Sequence, residues 1–345
     1  MKPFAELTQP GQLRRLRGLA EAALAAYQLP SWEMQAEHHG HNTTFRIDAG
    51  DERYSLRINK PGWRSERHIR SEATWLAAIR EDTELVVPQP VRNRNGELVT
   101  TAGARGVPEE RYCLLFHWVD GQFYRKRISP VALERVGRFT ARLHDFVEHE
   151  FEPPEGFSRP SVQWETVGER DEAVAGDMEQ VVEDGLAAGI EIISPEDLAT
   201  FTMARHYLRE EMEALPRTPD VYNLIHADLH HGNYLFHHEE VRAIDFDDCG
   251  WGHFLYDLAV TEWYLQARPD FAELREAHLE GYREIRPLSA DEEELQPTFL
   301  AARSLMLAMY FAGRKDNPRL WKQAPAFIAR SAANLRLYLQ EKMVP

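Results

Sequence analysis

The spacing of apolar residues changes character once along this chain, near Gly121, and that change constrains the fold more than any other feature. Before it, residues 43–47 and 54–58 alternate in type as half-buried strands do, and Ala49-Gly50-Asp51 separates them as a hairpin turn. The apolar-rich run 111–119 ends at Asp120-Gly121, and Asn93-Arg94-Asn95-Gly96 marks a second tight turn. Helical spacing occurs at 13–27, ahead of these strands, and at 65–80, among them. After Gly121, apolar residues recur three and four apart in 129–149, 195–215, 257–267, 270–285, 296–312 and 322–342. Two short strand-like pieces, 233–236 and 241–246, interrupt the helices on either side of the polar His237-His238-Glu239-Glu240. Residues 152–194 are rich in acid, Pro and Gly and carry no clear pattern, and the chain shows no internal repeat or low-complexity tract. The pattern predicts an α+β protein in two parts: a β-rich lobe over 1–119 with one inserted helix, and a mostly helical lobe over 120–345.

Composition narrows the function classes. A chain of 345 residues buries enough surface to fold without staples. Its two cysteines, Cys113 and Cys249, form neither a disulfide framework nor a paired-thiolate zinc pattern and read as structural thiols in a reducing compartment. The first residues lack the basic and apolar stretches of an export signal, and no run of about 20 apolar residues is present to span a bilayer. A cytoplasmic protein without a membrane partner is expected. The net charge of −16 is uneven: residues 1–121 hold 16 basic and 16 acidic side chains, whereas 122–345 hold 24 and 40. Neither part has the basic excess of a general nucleic-acid binder, so no nucleic-acid partner is expected.

The densest polar cluster lies in 226–248, as His226-Ala227-Asp228-Leu229-His230-His231-Gly232-Asn233 and Ala243-Ile244-Asp245-Phe246-Asp247-Asp248, each preceded by apolar residues. Carboxylates at the ends of apolar strands are costly to place unless something pairs with them, and a divalent cation is a usual partner. An Asp, an Asn five residues later and another Asp about a dozen beyond suit phosphoryl transfer from a metal-bound nucleotide. In that chemistry Asp228 accepts the proton of an attacking hydroxyl, while Asn233 and Asp245 offer hard oxygens to Mg²⁺.

His226-x-Asp228-x-x-x-x-Asn233 followed by Ile244-Asp245-Phe246 resembles the catalytic and metal-binding motifs of the aminoglycoside phosphotransferase and choline kinase-like enzymes, relatives of the protein kinases. That group also holds homoserine kinases and bacterial stress-response Ser/Thr kinases. The resemblance runs over roughly 30–312 and implies a bilobal protein-kinase-like fold with ATP and Mg²⁺ as cofactors. It places Arg57 where the group has a phosphate-contacting Lys, with Lys60 as a nearby substitute, and Glu72 where the helix acid pairs with it. It also implies a nucleotide-covering loop around Gly40, adenine against the backbone of 116–118 with Phe116 and Trp118 at the hinge, and an Asp257 that steadies the catalytic loop. The acceptor implied is a hydroxyl of a small molecule of amino alcohol, sugar or antibiotic type, or alternatively a protein Ser/Thr.

The chain departs from the group's pattern in three places: a single glycine in 38–43, Arg at residue 57, and His231 where proline is common. Other readings of the same residues stand beside the kinase one. His226, Asp228, His230 and His231, with His237-His238 nearby, are ligand types of a metal-dependent hydrolase, and a catalytically silent nucleotide-binding regulator is a third class. Arg57/Glu72 is either a functional pair or a surface ion pair. Asp247 and Asp248 either contact metal or substrate or form a solvated turn. Trp263-Tyr264 and Met309-Tyr310 either wall an acceptor pocket or fill the core.

Overall fold

The computed structural model describes residues 2–125, 127–162, 186–187, 191–315 and 317–343. Most of the patternless stretch 152–194 lies outside the described residues. The chain is mixed α+β and divides into two compact units: Met1–Gly121 with Glu152–Arg159 and Arg242–Asp247, and Gln122–Phe151 with Pro160–Val241 and Asp248–Pro345.

The first unit is built on a five-stranded antiparallel sheet in the order β1-β2-β3-β5-β4, from β1 (Trp32–His39), β2 (Thr43–Ala49), β3 (Glu52–Ile58), β4 (Thr100–Ala102) and β5 (Arg111–His117). In β2 every second residue is buried, so Phe45 and Ile47 face a core shared with Leu16, Leu19, Ala20 and Ala23 of helix α1 (Gln9–Leu24). Helix α2 (Glu66–Asp82) starts at Ser65, whose hydroxyl caps the amide of His68 at 3.2 Å. The register pairs Arg57 of β3 with Leu114 of β5, which fixes the side of the sheet that Arg57 serves.

The second unit is helical: α3 (Pro130–His149), α4 (Pro195–Ala214), α5 (Phe254–Trp263), α6 (Phe271–Arg283), α7 (Ala290–Ala312), α8 (Pro318–Trp321) and α9 (Ala324–Met343). Strands β6 (Tyr222–Ile225) and β9 (Gly250–His253) pair antiparallel, and β7 (Tyr234–His237) and β8 (Glu240–Ala243) form a hairpin. Helices α3 and α6 cross so closely that a Cβ on Gly137 would sit 2.1 Å from the carbonyl oxygen of His278, and one on Gly281 1.9 Å from that of Glu134. Only glycine fits at either crossing point. All ten residues of α5 are buried, so its Asp257, Thr261 and Glu262 must find partners inside the protein.

Helix α7 begins six residues before the 296 expected from spacing, because Ser289 and Glu292 form a capping box and an acidic first turn follows. No helix of the described residues is long and apolar enough to cross a membrane. Cys113 and Cys249 are both fully buried, and burial pushes the Cys113 thiol up to about 12. Neither thiol is expected to react with a thiol-specific disulfide reagent in the folded protein. Both should react in denaturant, and a stoichiometric native reaction would contradict the structural role.

Candidate active site

The segment 226–233 links β6 to β7 and is held from the buried helix α5. Asp257 and Thr261 lie four residues apart, hence on one face one turn apart. The Asp257 carboxylate accepts the amides of His226 (2.8 Å) and Ala227 (2.7 Å), and the Thr261 hydroxyl donates to the carbonyl of Leu229 at 2.6 Å. Ala227 sits in the left-handed region at φ 66°, a conformation these bonds hold in place. His144 of α3 lies 3.2 Å from Asp257 through Nε2 and 2.9 Å from the Tyr282 hydroxyl through Nδ1. Burial lowers the His144 imidazole, so the ring is neutral; Nε2–H donates to the carboxylate and Nδ1 accepts from the phenol.

Asp228 occupies the middle of this braced loop. Its Oδ2 accepts Asn233 Nδ2 at 2.9 Å, and the same amide donates to the Asp228 carbonyl at 2.9 Å. Its Oδ1 accepts Nη2 of Arg303 from α7, a residue only 3% exposed. His230 Nε2 lies 3.4 Å from Oδ2. Burial would raise the Asp228 carboxyl, but the neighbouring His230 ring and Arg303 guanidinium overturn this and hold it well below the usual carboxylate range. The loop therefore carries an ionised, oriented carboxylate. The other loop histidines serve the backbone or stay neutral: His226 Nδ1 accepts the Asp228 amide at 3.2 Å, and His230 Nδ1 accepts that of Gly232 at 2.9 Å. Burial, with the His230 ring and the Arg125 guanidinium beside it, pushes His231 down to about 4. Among the described residues no group of three or more His, Cys, Asp or Glu is arranged to hold a metal ion.

Arg57, Glu72, Gly40, Phe116, Trp118 and Asp245 belong to the first unit. Arg57 and Glu72 form a bidentate pair, Nη1 to Oε1 at 2.8 Å and Nη2 to Oε2 at 2.6 Å, with side chains 9% and 1% exposed. This is a buried pair, not a surface one. The guanidinium lies 5.5 Å from the Phe116 ring centroid, and Asp247 and Asp245 add to the negative field that Glu72 supplies around it. Asp247 is buried too, so the solvated-turn reading does not hold for it. Burial would raise its carboxyl, but the charges of Arg57, Arg64 and Arg159 hold it below the usual range. The carbonyl of Asp247 also accepts Arg64 Nε at 3.2 Å and Arg159 Nη2 at 2.6 Å, which pins the Asp245-Phe246-Asp247 turn, where Asp245 has φ 66°.

At the hinge, the amides of His117 and Trp118 donate to the carbonyls of Gln89 and Arg53, each at 2.9 Å. The N–H groups of His117 and Trp118 are thus both taken up by the protein's own backbone. Gly40 lies in the β1–β2 connection, where an added Cβ would fall 2.4 Å from His38 Nε2.

A family model described as "Phosphotransferase enzyme family" (APH) matches residues 34–297, about three quarters of the chain. The chain belongs to the APH phosphotransferase family. This phosphotransferase is similar to an amicoumacin kinase of Bacillus subtilis (strain 168), with 25% identity over 299 residues, 84% of this chain and 82% of that protein. It is also similar in structure to a microcompartment-associated aminopropanol kinase, with TM-score 0.79, 28% identity, and coverage of 94% of this chain and 98% of the other. An amicoumacin kinase solved with AMP-PNP, Ca²⁺ and Ami shares the fold at TM-score 0.72 and 20% identity, covering 94% and 96% of the two chains. The phosphotransferase is thus an enzyme of the kinase-like class.

Three contributors to its candidate site escape a motif reading: Thr261, Arg159 and Arg303. For Arg303 a signal is present, since it is the lone charged residue between Phe299 and Ala312 and an arginine in such a run needs a buried partner. Of the aromatic pairs, Trp263 and Met309 are fully buried and fill the core, whereas Tyr264 and Tyr310 are half-buried.

Proposed function

We propose that this phosphotransferase transfers the γ-phosphoryl group of ATP, with Mg²⁺, to a hydroxyl of a small molecule. The observation that carries the reading is the Asp228 carboxylate, ionised and braced between Asn233 and Arg303 on a loop tied to the buried helix α5. Asp228 accepts the hydrogen bond of the acceptor hydroxyl and takes its proton as the oxygen-to-phosphorus bond forms and the bond to the β-phosphate oxygen breaks, releasing ADP. Arg57, held by Glu72, takes the phosphate oxygens, with the loop around Gly40 above them and Phe116 and Trp118 lining the purine edge. The donor chemistry fits a hard cation. Asn233 commits its Nδ2 to Asp228, which leaves the amide carbonyl oxygen for a metal, and Asp245 offers a carboxylate. Asn233 and Asp245 would hold Mg²⁺, which would supply neutralisation of the phosphate charge. The 28% identity to an aminopropanol kinase over nearly the whole chain favours a small acceptor over a protein one.

The test is transfer from [γ-³²P]ATP to amino alcohols, sugars, hydroxyl-bearing antibiotics, generic protein and a no-acceptor control, each with Mg²⁺ and with EDTA. Mg²⁺-dependent labelling of one small-molecule class is expected. Labelling of protein or of the enzyme alone overturns the small-acceptor part, and ATP-independent hydrolysis restored by Zn²⁺ overturns the whole reading.

A further inference from the structure

Arg303 has no place in the motifs that define the site, yet it touches the proposed base. Its Nη2 donates to Asp228 Oδ1 and lies 3.5 Å from the Tyr264 hydroxyl, and its Nη1 lies 3.5 Å from the Tyr256 hydroxyl. The guanidinium is also 5.9 Å from the Tyr264 ring centroid. Burial raises both phenols, so they are neutral near pH 7, and the carboxylate of Asp228 is the countercharge in contact with Arg303. The Nε of Arg303 has no partner among the described residues.

A carboxylate turns easily about its last torsion, and one donor does not fix its plane. Here two donors grip opposite oxygens: Asn233 at Oδ2, from the loop itself, and Arg303 at Oδ1, from a different helix. A carboxylate has about four acceptor positions, so the grip leaves lone pairs for an incoming hydroxyl. The two phenols and burial immobilise the planar guanidinium, so its direction is set before any acceptor arrives.

We propose that Arg303 is a positioning residue for transfer, which orients the Asp228 carboxylate toward the acceptor hydroxyl. This rests on the role of Asp228 given above. Misplacement of a reacting group by about 1 Å can cost about 100-fold in rate, which sets the scale expected on losing Arg303. A purely structural role for Arg303 predicts a loss that is independent of Asp228; a positioning role predicts a loss that exists only while the carboxylate is present.

The experiment is a double-mutant cycle with Arg303→Gln, Asp228→Asn and the combination, read by single-turnover transfer from [γ-³²P]ATP and by titration with a fluorescent ATP analogue. Arg303→Gln is expected to lower kcat about 100-fold with nucleotide affinity within about 3-fold of wild type. It should cause no further loss in the Asp228→Asn background, and Arg303→Lys, which keeps one charged donor, should recover part of the rate. The proposal is overturned if Arg303→Gln turns over within about 3-fold of wild type, or if the double variant loses the product of the two single losses. If Arg303→Gln does not fold, Arg303→Lys carries the same cycle. An active Asp228→Asn would sink the role of Asp228 itself; an inactive Asp228→Asn beside an active Arg303→Gln sinks only the role of Arg303.

Discussion

Replacing Asp228 with asparagine is expected to lower the turnover number by about 10³-fold or more, with nucleotide affinity within about 3-fold of wild type. The substitution removes the only carboxylate on the loop while the bonds from α5 to His226, Ala227 and Leu229 remain. Asparagine is the informative choice. Both substitutions remove the countercharge in contact with the buried Arg303, but alanine also removes every side-chain acceptor that Arg303 and Asn233 use there, which costs about 3–5 kcal/mol and mixes unfolding with lost chemistry. The amide still offers one oxygen, so either Arg303 or Asn233 loses its acceptor, at about 1–3 kcal/mol. Denaturant unfolding of both variants beside transfer assays separates the two effects. A Asp228→Asn protein that is folded, binds nucleotide and transfers at the wild-type rate removes Asp228 from the mechanism.

Replacing Glu72 with alanine is expected to destabilise the first unit by about 3–5 kcal/mol and to lower its melting temperature by about 6–20 °C. Glu72 is 1% exposed and accepts from both terminal nitrogens of Arg57, a residue itself 7% exposed. An exposed pair of the same length contributes about 0–1 kcal/mol, so the size of the loss tests the burial directly. Joint replacement of Arg57 and Glu72 by methionine should restore much of the stability while nucleotide affinity stays low, because the cost lies in the unpaired charge and the function in the guanidinium. Differential scanning fluorimetry with and without ATP distinguishes the two; a loss below about 1 kcal/mol would mean that Arg57 reaches solvent.

The elements that were legible share one property: their signals are local. Ser129-Pro130 and Ser194-Pro195 announce the starts of α3 and α4, where each serine accepts an amide three residues on. Strand β9 was not legible, because Gly250-Trp251-Gly252-His253 lacks the residues that mark strands and owes its conformation to pairing with β6. The residues around Asp228 and Asn233 could be read because five residues of spacing already bring them together. Arg303 lies 75 residues from Asp228, and Arg159 lies 88 from Asp247, so only the folded chain shows what each meets.

Helix α5 gives the loop an unusual dependence. All ten residues of that helix are inside the protein, and two of them hold residues 226, 227 and 229 at the start of the loop. The start of the loop is thus anchored in the interior, so loosening of α5 would displace Asp228 as well, and the role proposed for Asp228 would be lost before the second unit unfolds as a whole.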